Sequence, residues 1–287
     1  MQDWQLLNTA HGQRGDGGRK LALTDLVSDK EDLSYTDLSN ARLDNFDFRS
    51  AHLDGSIFDN ANIQSARFDC IPKFGIKKVD IIGFPDCAHV TTLDRAEFNN
   101  VVYITSVRRT EDLGTEKSGK YVEHRPDFTA AELKDAIFTQ PKSMAADATI
   151  YDQIDGIFNA ADFQSATFKD ASIGADARFA YASFIGTTFY NISSSGTLYK
   201  HASFIGAKID HANFDHVNFS GAYFVGTIFS DTEFHNVNLE DASFSSETKI
   251  DGHVASADDF LDSHLCHTRF DEIEVNRDCL AKPNTKK

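Results

Sequence analysis

No run of 18 apolar residues occurs in the 287-residue chain, so no membrane-spanning helix is expected. The opening Met1-Gln2-Asp3-Trp4-Gln5 lacks a basic stretch followed by an apolar one, so an export signal is not expected either. Cysteine is sparse. Cys70, Cys87, Cys266 and Cys279 are four thiols in a long chain without such a signal, which makes reduced thiols and a cytoplasmic location the expectation. Bases are outnumbered, 28 against 44 acids, for a net charge of -16, which argues against nucleic acid or an anionic membrane as partner and favours a basic one. Gly-x-Ser-x-Gly and His-Glu-x-x-His are missing, and the glycines at 12, 15, 17 and 18 lack the spacing of a phosphate loop. No catalytic, cofactor or metal residue is therefore assigned from a motif, and an enzyme is the least favoured reading.

With 2 Met and 1 Trp against 24 Phe, the apolar content is dominated by one side chain, and those Phe are spaced with a purpose. Tyr181-Ala182-Ser183-Phe184-Ile185-Gly186 recurs from His201, from Gly221 and, more loosely, from Asp241, a period of 20 that marks a stacked repeat. Within it runs a period of five: Phe179, Phe184, Phe189, Tyr199, Phe204, Ile209, Phe214 and onward to Phe244, with Ser194 the one break. Five is neither the helical period nor the strand period, so the reading is a coil of four short sides. Each side turns one large residue inward, with a small one (Ala182, Thr187, Ala202, Ala207) two positions before it.

The register starts at Leu33 and holds to Phe68, then resumes at Leu93, Phe98 and Tyr103, at Phe128, Leu133 and Phe138, and at Phe158 to Ile173. The residues that would be buried in the first two interruptions include Lys73, Lys78, Arg108 and Glu123, and burying such groups unpaired costs several kcal/mol each. Residues 69–92 and 104–127 are therefore expected to protrude as loops and to offer partner contacts through Lys73, Lys77, Lys78, Arg108, Arg109, Lys117, Lys120 and Arg125. The interruption 139–157, with Ser143, Ala148 and Gln153 in register, reads equally as coil or loop. Residues 1–30 are expected to be a mobile lead-in ending in a cap, 31–247 the repeat column, and 248–287 a C-terminal cap and tail. A short helix is expected over Asp258 to Cys266, although Phe260, Leu265, Phe270 and Val275 echo the five-residue spacing. The sides add up to about eight coils, roughly 38 Å at the spacing of stacked strands.

The phrases Ala61-Asn62-Ile63, Ala161-Asp162-Phe163 and Ala212-Asn213-Phe214 resemble the pentapeptide-repeat family. The resemblance implies an all-β fold, a right-handed quadrilateral β-helix, often capped at one end and often dimeric through its C-terminal end. The Phe-rich array, two projecting loops and acidic surface resemble the quinolone-resistance, gyrase-protection members, which implies an acidic mimic of duplex DNA that binds DNA gyrase or another type II topoisomerase. A duplex of that length carries about 22 negative charges, and the coil segments carry about 14 net. The alternatives are a scaffold or secreted effector that binds another protein through its loops, and an enzyme built on the same scaffold. Stacking by 20 sets His211 over Asp231 and Asp215 beside His235; this is read as an external polar ladder rather than an acid-base or metal site. His264, Cys266, His267 and Cys279 are metal-ligand types without a metal-site spacing.

Overall fold

The computed structural model describes residues 2–9, 18–63, 65–69, 71–72, 87–89, 91–93, 96–99, 126–128, 130–139, 153–154, 156–175 and 177–279. Lys73, Lys77, Lys78, Arg108, Arg109, Lys117, Lys120 and Arg125 lie outside those residues.

Among the described residues, the large residues of the five-residue register face one interior. Leu33, Leu38, Leu43 and Phe48 in the first coil, and Phe204, Ile209, Phe214 and Phe219 in a later one, are at most 1% exposed. Burying each such side chain is worth about 1.5–3 kcal/mol. Successive coils pair as parallel strands. One ladder runs through Asp47, Arg67, Asp127, Ile157, Arg178, Leu198, Asn218, Asn238 and His264, giving nine rungs. The chain is thus a four-sided β-solenoid built of strands and very short bridges, with few helices. On this ladder rungs are 20 residues apart at Leu198–Asn218 and 60 apart at Arg67–Asp127; on another side they are 40 apart at His52–Thr92 and Thr92–Glu132, so the ladders close across both upstream interruptions. In the third interruption Ile154 is 1% exposed and pairs with Ile173, so the ring is filled one residue past the in-register Gln153.

Equivalent rings stack face to face: Phe68 on Phe128 at 4.4 Å, Phe184 on Phe204 at 4.9 Å and Phe204 on Phe224 at 5.1 Å between centroids. Neighbouring columns meet edge to face, as Phe204 and Phe219 do at 5.8 Å, the arrangement the ring quadrupole favours. Threonines in the small positions bury their hydroxyls by donating to central-residue carbonyls, Thr187 to Phe163 and Thr227 to Phe204, both at 2.7 Å. The break at Ser194 has a local counterpart. Ser194 occupies the position between Ile173 and Phe214, in the coil whose next side carries Tyr199 in place of Phe. The Tyr199 hydroxyl is buried without a hydrogen-bond partner of ordinary geometry, while Ser194 donates to Thr197 at 2.8 Å. Burial pushes the Tyr199 phenol well above its usual pKa, and the Ser194 hydroxyl offsets part of that rise.

Most described sides end in a corner where one residue takes a positive φ, including Asn40, Asn45, Asn60, His211, His216, Asp231 and Asp251. Only Gly does so without strain; Asn, Asp and His tolerate it best among the rest. The recurring Gly186, Gly206 and Gly226 are one such corner column, at φ 64, 63 and 64°.

The ends are covered differently. The segment expected to be a mobile lead-in holds a helix, α1 (Gln2–Thr9), followed by α2 (Arg19–Ser28). The reason is burial: Leu7, Leu23 and Leu26 pack onto the core cluster that includes Leu33 and Leu38. From α2, Arg19 donates to the carbonyls of Asp37 at 2.5 Å and Ser39 at 3.3 Å, and Lys20 donates to that of Asp44, occupying acceptors on the open edge of the first coil. Burial holds the Arg19 guanidinium below its usual pKa, with Asp37 opposing the shift.

At the other end the expected Asp258 to Cys266 helix is confined to one 3-10 turn, Ala257–Phe260, started by a capping box between Ser256 and Asp259. Strand geometry takes over because the five-residue echo keeps Leu265 and Phe270 in register. His264 pairs with Asn238, which sets Leu265 above Leu239, and Phe270 stacks on Phe244 at 4.8 Å.

Two measurements follow from this packing. Tyr199→Phe removes an unbonded buried hydroxyl, so chemical denaturation should show stability unchanged or raised by up to about 1 kcal/mol; a clear loss would show the hydroxyl to be bonded. Gly206→Ala meets no atom within 4 Å and should cost about 1 kcal/mol from the backbone alone. Gly221→Ala should cost more, since its Cβ would lie 2.1 Å from His201 Nδ1, and the excess should vanish in a His201→Ala background. Equal costs in the two alanine variants would refute the account.

Candidate functional site

The interior is filled by packed side chains, so chemistry-bearing groups lie on the outside of the coils. Four of them were expected to stack as a polar ladder, and the strands that carry them are β1 (Thr167–Ile173), β2 (Thr188–Ser195), β3 (Lys208–Asp210), β4 (Asn213–Asp215), β5 (Ile228–Ser230) and β6 (Glu233–His235). In-register pairing of β4 with β6 sets Asp215 against His235, and pairing of β3 with β5 sets Asp210 against Ser230. At the corner after β3, His211 Nε2 lies 3.7 Å from Asp231 Oδ2, with side chains 55% and 74% exposed. The shorter contact is within the coil, His211 Nδ1 to Asp210 Oδ1 at 2.7 Å.

The second pair is organised in the same way. Asp215 Oδ1 is engaged by His216 Nδ1 at 2.6 Å, a residue the stacking argument did not single out. His235 faces Glu233 Oε2 at 3.5 Å and Asp262 Oδ2 at 3.7 Å. Asp210 and His216 flank His211 and Asp215 in sequence, so adjacency was the signal that could have found them; Asp262 comes from the cap and had none. Further along the corner, the backbone N–H of Asp231 donates to Asp251 Oδ1 at 2.8 Å, and upstream Asn191 Nδ2 donates to Asp170 Oδ1 at 2.8 Å. The corner column is therefore Asp170, Asn191, His211, Asp231 and Asp251, each group bonded to a neighbour.

A shallow groove of about 500 Å³ runs beside this column, lined by Asp170, Asn191, Ser193, Ser195, His211, Asn213 and Asp215. Chemically the arrangement offers solvated carboxylates and imidazoles that hold one another in place. These groups stand exposed beside an open groove rather than inside an enclosing apolar pocket.

Cys266, His267 and Cys279 bring their ligand-type atoms within 4.8 Å of one another, but the two sulfurs are bonded to each other and are not thiolates. Cys266 and Cys279 are joined by a disulfide, with Cα atoms 4.8 Å apart, which corrects the expectation of reduced thiols for this pair. The physical reason is the terminal hairpin, which returns the chain alongside itself and brings residues 13 apart within bonding reach. His267 contacts Glu274 Oε1 at 3.1 Å, and hydrogen bonds from His267 and Asn276 hold that carboxyl below its usual pKa.

Charge is distributed unevenly along the column. From Asp231 to Cys279 there are 13 acids against 3 bases, so this stretch carries 13 - 3 = 10 of the net negative charges.

The repeat geometry, one large buried residue every fifth position with a turn at each corner, agrees with a family model described as pentapeptide repeats, which matches residues 32–69 and 207–245. Over those residues the chain carries pentapeptide repeats. Among solved structures, it is similar to HetL, a pentapeptide repeat protein involved in heterocyst differentiation regulation from the cyanobacterium Nostoc sp. strain PCC 7120. That likeness has 14% identity and a TM-score of 0.30, over 86% of this chain and 94% of that one. It is also similar to the pentapeptide repeat protein Rfr23 from the cyanobacterium Cyanothece 51142, with 14% identity and a TM-score of 0.27 over 66% and 91% of the two chains. A third is full-length QnrB1, a plasmid-mediated fluoroquinolone resistance protein, with 12% identity and a TM-score of 0.23 over 69% and 84%. A search of curated protein sequences finds no match. Among the described residues no helix is long and apolar enough to cross a membrane.

As members of a solvated ladder on this column, His211→Ala and Asp231→Asn should each change unfolding free energy by less than about 1 kcal/mol. A larger loss from either would mean that the pair does more than decorate the corner.

Proposed function

We propose that this protein is a non-catalytic interaction module that presents a rigid acidic surface to a basic partner. In its most specific form it is an acidic duplex mimic that occupies the DNA-binding surface of a type II topoisomerase such as DNA gyrase. One observation supports the reading above the others. Ten net negative charges fall within the 49 residues from Asp231 to Cys279, with acids at corners and turns, as Asp231, Glu240, Asp241, Glu247 and Asp251 are, on coils whose separation is held by inter-coil hydrogen bonds, so their backbone anchors keep fixed relative positions. Regular negative charge on a rigid rod is what a duplex offers to a basic groove. The segments 69–92 and 104–127 remain the proposed specific contacts, and the C-terminal segment the proposed homodimer contact.

A second reading, an exported scaffold or effector, is favoured by a different observation. The Cys266–Cys279 disulfide belongs with an oxidising compartment rather than the cytoplasm. That reading keeps the acidic surface and the interaction role but places the partner outside the cytoplasm.

Gyrase supercoiling assays and binding titrations separate the two. If the topoisomerase reading holds, stoichiometric protein alters supercoiling, and affinity falls about tenfold or more between low and physiological salt as charges are screened. The combined substitution Asp231→Asn, Glu233→Gln, Asp251→Asn and Asp262→Asn should weaken binding and flatten its salt dependence. Deletion of 104–127 should abolish it. No effect on supercoiling at stoichiometric protein would sink that form, and recovery of one consistent non-topoisomerase partner, lost with the same deletion, would establish the second.

A further inference from the structure

The C-terminal end of the column closes with an antiparallel hairpin of β7 (Leu265–Phe270) and β8 (Ile273–Arg277). The two strands are held in very different ways. On its inner side β7 pairs in parallel with the last coil, Arg269 opposite Ser243 and Phe270 opposite Phe244. It buries Leu265, Cys266, Thr268 and Phe270. β8 lies on the outer side and buries almost nothing: Ile273 is 69% exposed, Glu274 and Asn276 are exposed, and Val275 is half-buried. Its attachments are the hairpin register itself, the polar contact of His267 with Glu274, the bond from the His267 N–H to Asn276 Oδ1 at 3.0 Å, and the bonds Arg277 donates to the carbonyls of Phe260 and Ser263. To these the Cys266–Cys279 bond adds a covalent tie from the buried strand to the residue just past the end of β8.

We infer that the Cys266–Cys279 disulfide is a redox-controlled latch on β8, and that its reduction uncovers the outer edge of β7 at the C-terminal end of the column. Cys279 is exposed and Cys266 only 5% exposed, so an incoming dithiol reaches the Cys279 sulfur first. Its thiolate forms a mixed disulfide with Cys279, and the Cys266 thiolate leaves and takes up a proton. The second thiol of the reductant then displaces Cys279, so the protein gains two electrons and two protons while the dithiol becomes a disulfide. What remains on β8 is the edge position of a four-stranded sheet, held by its bonds to β7 and a few polar contacts with little apolar burial, and such an edge strand is the first to open. The consequence is local. The coils beneath keep their stacked rings, while the N–H and C=O groups on the outer side of β7 become a free strand edge, able to pair with another strand.

The full chain, purified without reductant, tests this by alkylation, mass spectrometry and hydrogen exchange. Cys266 and Cys279 should resist alkylation before dithiothreitol and accept it afterwards. On reduction, exchange across 265–279 should rise by about 100-fold, the scale expected for opening a loop of this size once its crosslink is cut, while 181–246 keeps its protection. The Cys266→Ser, Cys279→Ser double variant should show the raised exchange without reductant and no further change across 265–279 with it. Alkylation of both residues before reduction, or unchanged exchange across 265–279 after it, would overturn the inference. Should the double variant not fold, the reduced and oxidised wild-type chains still decide the question. Loss of protection throughout 181–246 on reduction would overturn it too, by making the bond a general staple rather than a latch.

Discussion

Two distances coincide in this protein, and the rest of the structure follows from their agreement. Backbone hydrogen bonds between coils fix the rise at the spacing of paired strands, about 4.8 Å. Phenylalanine rings stacked in register settle at centroid distances such as 4.7, 4.8 and 4.9 Å. Neither interaction has to yield to the other, so adding a coil extends both the ladder and the ring columns. The same constraint limits what the interior can be. Each side has room for one large residue and one small one, and a departure such as Tyr199 is accompanied by a departure beside it, Ser194.

A column built this way has its polar chemistry on the outside. Histidines and carboxylates at the corners are exposed and bonded to one another, as His211 is to Asp210 and His216 to Asp215. They are where they are largely because positive φ at a corner is tolerated by His, Asp and Asn. Backbone geometry thus explains a polar column without any catalytic requirement, and the surface is better understood through its charge and rigidity than through a reaction.

Ends are the weak points of any stacked fold, because the last coil leaves a row of unpaired backbone groups. Here the two ends are treated differently. The first coil is covered by α2, whose Arg19 and Lys20 donate to carbonyls on its outer edge and whose leucines join the core. The last coil is extended by a further strand, and that strand is shielded by a lightly packed one tied down by a disulfide. One cap is held by burial, and the other, on the inference drawn above, by a covalent bond that reduction would release.

The column was legible in the sequence because its rule is local: one apolar residue in five, with a small residue two before it, specifies which side chains turn inward and which positions stack at 20. Leu33, Phe98, Phe204 and Phe244 follow from that rule alone, as does the pairing of Asp215 with His235. The rule is silent wherever contacts do not repeat. Trp4 and Leu7 belong to a helix because a leucine-lined coil end needed covering, a demand set by residues dozens of positions away. Ile154 rather than Gln153 filled the ring because the chain there adjusts by one residue to keep an apolar group inside. Leu265 and Cys266 lie in a strand, not a helix, because the edge of the preceding coil offers hydrogen-bond partners that a helix would leave unpaired. That strand and the turn after it are what bring Cys266 to Cys279. Periodicity in the chain determined the interior; closure of the two ends was decided by tertiary contact, since only the folded column creates the edges that have to be closed.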